Sequence, residues 1–204
     1  MAFLAQSTSF CRYRLEQAPS ESFWETFPEK LLEFGFRDID HSNEERSFGW
    51  VNIDNMLDTK WELSPPYKGE YVAFALRLDT RRIQPAVFKK YFRLAWNDLL
   101  QKKQEQGKKN ISKQEKNDLK ESVKNKLMGY ALPVPAVFDV VWNRDLNCIY
   151  FGCTRQKVKE LFEELFYNSF ELNLLSLTPY YLAGSLLQEE YSEYLDNYEP
   201  CVFV

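Results

Sequence analysis

The sequence predicts an α+β fold, with mixed or antiparallel sheets, packed helices and a projecting basic helical hairpin. Three observations predict it. Strand-like stretches lie toward both ends of the chain, with helical stretches between and beside them. The span from Arg81 to Lys126 carries two apolar stripes of helical period, broken at Gly107. That span also holds 14 basic residues against 5 acidic ones, in a chain whose net charge is −4. A segment at +9 within an otherwise acidic chain is a polarised molecule, and the polarity says more than the total.

The elements follow in order. Ser7 to Leu15 reads as a strand around Phe10, Tyr13 and Leu15. Pro19-Ser20 starts a helix with Ser20 as N-cap, and Phe23, Trp24, Phe27, Leu31, Leu32 and Phe34 recur at helical spacing. Pro28 is expected to kink this helix or split it. Residues 37–46 are charged and loop-like. Ser47 to Ile53 reads as a strand, and Glu70 to Leu78 as a long alternating one. Pro85 suits the first position of a helix whose stripe runs through Val87, Phe88, Tyr91, Phe92, Ala95, Trp96, Leu99 and Leu100. Ser112 and Glu115 form a capping box for a second helix with Leu119, Val123 and Leu127 on its apolar face, closed by Pro133 and Pro135. Ala136 to Trp142 and Cys148 to Cys153 make a hairpin across Asn143–Asn147. Thr154 caps a helix bearing Val158, Leu161, Phe162, Leu165 and Phe166. A strand at Leu172–Leu177 and a short helix at Pro179–Leu187 follow.

These elements group as 1–80, an N-terminal α+β part of the body; 81–132, the hairpin; 133–187, a C-terminal α+β part; and 188–204, an acidic tail. The tail carries Glu189, Glu190, Glu193, Asp196 and Glu199 with no basic residue, so loose attachment is expected. At 204 residues the chain suits one large domain or one and a half. Its 45% hydrophobic and 27% charged content excludes collagen-like and wholly disordered classes.

The chemistry-bearing residues are few. Cys11, Cys148, Cys153 and Cys201 form no CxxC pair and read as thiols of a reducing compartment. His41, the single histidine, removes HExxH and multi-histidine metal sites. Glycine-rich nucleotide motifs are absent, and no cofactor is expected. No apolar run reaches the ~20 residues that cross a bilayer, and the N-terminus lacks a basic n-region, so the sequence reads as cytoplasmic with no membrane partner.

The hairpin is different. Lys113, Lys116, Lys120 and Lys124 fall at spacings of 3, 4 and 4 and form one row beside the apolar stripe. Lys89, Lys90 and Arg93 flank the stripe of the first helix, and Lys102, Lys103, Lys108 and Lys109 crowd the turn. Lysines attract phosphates but read base edges poorly. The band therefore predicts sequence-independent contact with a nucleic-acid backbone. The apolar stripes exceed what two helices can bury against each other, which predicts a homodimer.

Several strings, in order, resemble the RdgC family of bacterial recombination-associated DNA-binding proteins. They are Phe10-Cys11-Arg12-Tyr13-Arg14, Phe48-Gly49-Trp50-Val51, Pro85-Ala86-Val87 and Ser112-Lys113-Gln114-Glu115-Lys116 with Leu119-Lys120-Glu121. Phe138-Asp139-Val140-Val141-Trp142 follows, then Thr154-Arg155-Gln156-Lys157-Val158 leading to Leu161-Phe162 and Leu165. The resemblance covers most of residues 7–180. It implies an α+β chain that pairs into a ring around duplex DNA, binds it with little sequence preference and limits access of the recombinase. It further implies a nucleoid location and inner-surface lysines on the helical projection. The relatives continue through a C-terminal segment that the stretch after Gln188 does not resemble.

A metal-dependent exonuclease is the alternative. Its candidate residues are Asp38 and Asp40 followed by Asp58-Thr59-Lys60, a loose carboxylate–lysine pattern. Among 30 acidic residues such a pattern arises easily, and a non-enzymatic DNA binder is the expectation.

Overall fold

The computed structural model describes residues 8–42, 44–62, 64–105, 111–186, 195 and 197. In chain order the elements are β1 (Cys11–Leu15), α1 (Glu21–Glu33), β2 (Arg46–Val51), β3 (Tyr67–Lys68), β4 (Tyr71–Thr80), α2 (Pro85–Glu105) and α3 (Lys113–Tyr130). Then come β5 (Val134–Asn143), β6 (Cys148–Phe151), α4 (Gln156–Phe170), β7 (Leu174–Ser176) and α5 (Pro179–Leu186). The strands form one seven-stranded sheet in the order β2-β4-β5-β6-β1-β7, with β3 beside β4. β1 pairs antiparallel with β6 and β7, and β5 with β6, placing Tyr13 opposite both Ile149 and Ser176. The class is α+β.

The chain divides into two compact units. One comprises Met1–Gly35, Gly49–Leu76 and Val137–Val204; the other Phe36–Phe48 and Arg77–Ala136. The first holds an aromatic core. Phe27 stacks on Phe170 at 4.9 Å, Phe170 lies parallel to Trp50 at 5.9 Å, and Phe151 stacks on Phe162 at 4.1 Å. Rings at these separations add to the area they bury. The Trp50 indole N–H donates to Ser169 Oγ at 2.8 Å, and that hydroxyl donates to the Leu165 carbonyl at 2.7 Å. A buried polar group is thus satisfied without leaving the core.

Several elements depart from expectation for reasons visible in their neighbours. α1 is capped by Ser20, whose Oγ accepts the Phe23 N–H, and it runs unbroken through Pro28. Proline withholds the N–H that would serve the carbonyl four residues earlier. That carbonyl belongs to Trp24, and Tyr67 donates its hydroxyl there at 2.6 Å. β4 does not alternate: Val72 to Arg77 are buried at every position, as in a strand covered on both faces. β5 begins at Val134, so Pro135 lies within its first turn of pleat, where a missing ladder donor is tolerated. α4 starts one residue later than Thr154 would give. Its N-cap is Arg155, which makes no side-chain capping bond and extends its guanidinium over the Phe138 ring. β1 begins at Cys11; Ser7, Gly107, Leu187 and the five tail acids, Glu189, Glu190, Glu193, Asp196 and Glu199, lie outside the described residues.

The second unit is tied together by two arginines. Arg81 is buried and donates to the carbonyls of Ile39 at 2.6 Å, Asp40 at 2.9 Å and Met128 at 3.2 Å. Arg77 forms a bidentate pair with Asp79 at 2.8 and 2.7 Å beneath the Phe36 ring. Its guanidinium is held even more firmly protonated, first by the Asp79 hydrogen bond. No described helix is long and apolar enough to cross a membrane.

Candidate nucleic-acid interface

α2 and α3 pack against one another within the second unit. The α3 N-terminus is fixed by sequence-local chemistry. Ser112 Oγ accepts the Glu115 N–H at 3.1 Å, and Glu115 Oε2 accepts the Ser112 N–H at 2.9 Å. Lys103 at the end of α2 adds an ion pair to the other Glu115 oxygen. That pair first, and the Ser112 backbone bond second, hold the Glu115 carboxyl below its ordinary range.

The four lysines of the α3 row, Lys113, Lys116, Lys120 and Lys124, are all exposed. Within one continuous helix their spacing keeps them on a single face. Lys116 stands over the Trp96 ring at 5.6 Å, and Lys124 pairs with Glu45 at 2.6 Å. Both partners of that pair are more than half exposed, so it holds Lys124 weakly and leaves its charge available. Lys113 and Lys120 make no ion pair among the described residues.

α2 distributes its charges differently. Lys89, Lys90 and Arg93 cluster near its start and are exposed, Lys90 lying at 5.5 Å over Tyr91. Lys102 follows Arg93 by nine residues, roughly half a turn round the axis at about 100° per residue, so it faces away from that cluster. Lys103 is committed to Glu115. Lys108 and Lys109 lie outside the described residues. α3 thus presents a row of four exposed lysines, and α2 a group of three exposed cations near its start.

Sequence reasoning missed Trp96 as the ring beneath Lys116. The signal was the i, i+4 run Phe88, Phe92, Trp96, whose rings follow one another at 6.0 Å. Arg81, one of the 14 basic residues of the span from Arg81 to Lys126, is buried. Beside the basic faces lies a groove of about 480 Å³ between α2 and α3. Val87, Leu94, Val123 and Leu127 line it with Tyr91 and Tyr130, and Arg82, Lys126 and Asp98 supply its polar edge.

Two of the three carboxylates considered for a metal, Asp38 and Asp58, have structural duties. Asp38 Oδ1 accepts the Asp40 N–H at 2.6 Å, a local turn. Asp58 is buried; it accepts from Asn52 Nδ2 at 3.0 Å and from the backbone of Lys60 and Glu62 at 3.2 and 3.3 Å. Lys60 itself is exposed. No group of three or more potential metal ligands occurs among the described residues.

Charge follows the structural division. The second unit holds 17 basic and 10 acidic residues, leaving 9 basic and 20 acidic in the first. Over the sequence of each unit the net charges are +7 and −11. No protein-family model matches this chain, and no curated protein matches it.

Proposed function

We propose that the protein binds double-stranded DNA without regard to sequence, through the exposed basic faces of α2 and α3. The reading extends to action in recombination on the nucleoid, in the manner of the RdgC family it resembles, with two copies pairing around the duplex. The observation that supports it best is the row Lys113, Lys116, Lys120 and Lys124, exposed along one side of α3. Ammonium groups at this spacing neutralise phosphates and release counterions whatever the base sequence. Pairing is supported by Leu132 and Val134, which are 82% and 62% exposed just beyond α3.

Binding of labelled duplexes of unrelated sequence, titrated over a range of salt, tests the reading. With about six lysines engaged, log K falls against log[salt] with a slope near −5. Equal affinities for unrelated duplexes are expected; salt-independent or strongly sequence-dependent binding would overturn the proposal. The same duplexes incubated with Mg²⁺ should stay intact. Nucleotide release abolished by Lys60→Gln would replace the binding reading with the exonuclease.

A further inference from the structure

We propose that the groove between α2 and α3 binds a small amphipathic anion, one apolar body carrying a single acidic head. All of its lining belongs to the second unit. Val87, Tyr91 and Leu94 on α2 are 37%, 45% and 52% exposed, and Tyr130 at the end of α3 is 77% exposed. No residue of the 21-residue α2 is buried, so the apolar side that lines the groove remains in contact with water. At about 480 Å³ the groove has the volume of a small-molecule site, on the order of 300–1,000 Å³. Such sites combine apolar walls with a few polar groups that orient the ligand.

The charges of the lining fix the sign of the head. Arg82 and Lys126 are exposed and make no ion pair among the described residues, and neither does Asp98. Two cations against one carboxylate leave the groove at +1. The signs are also set apart along it. Arg81 donates to the Met128 carbonyl at 3.2 Å, so the start of α2 lies beside the end of α3. Arg82 precedes that start, and Lys126 lies in the last two turns of α3. Asp98 stands about 20 Å beyond Pro85 along the α2 axis. An acidic head at the Arg82 end leaves its apolar body to run along Val87, Tyr91 and Leu94, short of Asp98. Other occupants match less well. A second copy related by two-fold symmetry brings the same patch, so +1 would face +1. A sugar–phosphate backbone offers no apolar surface to the walls. The proposal stands on the groove alone and does not depend on DNA binding.

The test uses the full-length chain and the dye anilinonaphthalenesulfonate, an aromatic sulfonate that brightens in apolar sites. Decanoate and decanol, the same chain with and without a charge, compete for it. Decanoate should displace the dye about fivefold more tightly than decanol, the gain expected of two solvent-exposed charge contacts. Arg82→Gln with Lys126→Gln should remove that preference and leave decanol unchanged. Lys157→Gln, at an exposed cation of the first unit, should change neither. Leu94→Glu, at a half-exposed site, should abolish decanoate binding. Three results would overturn the proposal: no displacement by decanoate, equal affinities for acid and alcohol in the parent, or a preference that survives the double substitution. Parent-like binding by a folded Leu94→Glu would overturn it too. A light-scattering dimer dissolved by decanoate would assign the groove to a second copy, with the same consequence. The double variant alters exposed side chains only, so it decides the matter even where Leu94→Glu fails to fold.

Discussion

Tyr67 serves a carbonyl that Pro28 leaves without a donor, and α1 keeps its line because of it. Tyr67→Phe orphans the Trp24 oxygen. The loss should be on the order of 1 kcal/mol, read as a lower denaturant midpoint at unchanged m-value. Tyr13 is a second residue whose environment sets its chemistry. It is fully buried and donates to Glu163 Oε1 at 2.8 Å. Burial first, then that bond, push its hydroxyl well above the ordinary value of 10.0. The folded state keeps the proton longer than the unfolded state, so the stabilisation is complete below pH 10.0 and drains away above it. Alkaline denaturation profiles of the parent and Tyr13→Phe should therefore diverge above that pH, the variant losing less stability; parallel profiles would contradict the assignment.

Elements differ in how much of them the sequence makes legible, and the distance to the deciding partner explains why. The α3 start is readable because Ser112 and Glu115 satisfy each other within one turn. The continuity of α1 is not, because its missing donor comes from Tyr67, far along the chain. The unbroken burial of β4 depends on its interior place between β2 and β5, which no local pattern records. Among the candidate binding residues, the α3 row follows from spacing alone. The burial of Arg81 depends on carbonyls of Ile39, Asp40 and Met128, and the engagement of Lys103 on Glu115 of the next helix. The α3 cap also carries a pH signature. Glu115 ionises below its ordinary value of 4.5, so its contribution is present above that pH and is lost as pH falls through the depressed value. Amide protection in the first turn of α3, with the intrinsic pH dependence of exchange divided out, should fall over that acid range in the parent. In Glu115→Gln that protection should stay level with pH.

At the scale of the whole molecule, one unit carries a net +7 and the other −11, and under the proposed DNA-binding reading the first is the one attracted to phosphate. Pairing of two copies, part of the same reading, predicts a dimer by light scattering at about tens of micromolar. Leu132→Asp should shift that dimer toward monomer without loss of helicity, because the side chain is 82% exposed. The most direct test of DNA binding exchanges Lys113, Lys116, Lys120 and Lys124 for glutamine together. Lysine and glutamine have nearly equal helix propensity, and the surface pair of Lys124 with Glu45 contributes little, so folding should be unchanged. The measurement is the slope of duplex affinity against salt in parent and variant. Loss of four phosphate contacts should weaken binding and flatten the slope by about 3 to 4 units. A folded variant that binds duplex with the parent's affinity and the parent's slope would contradict the account.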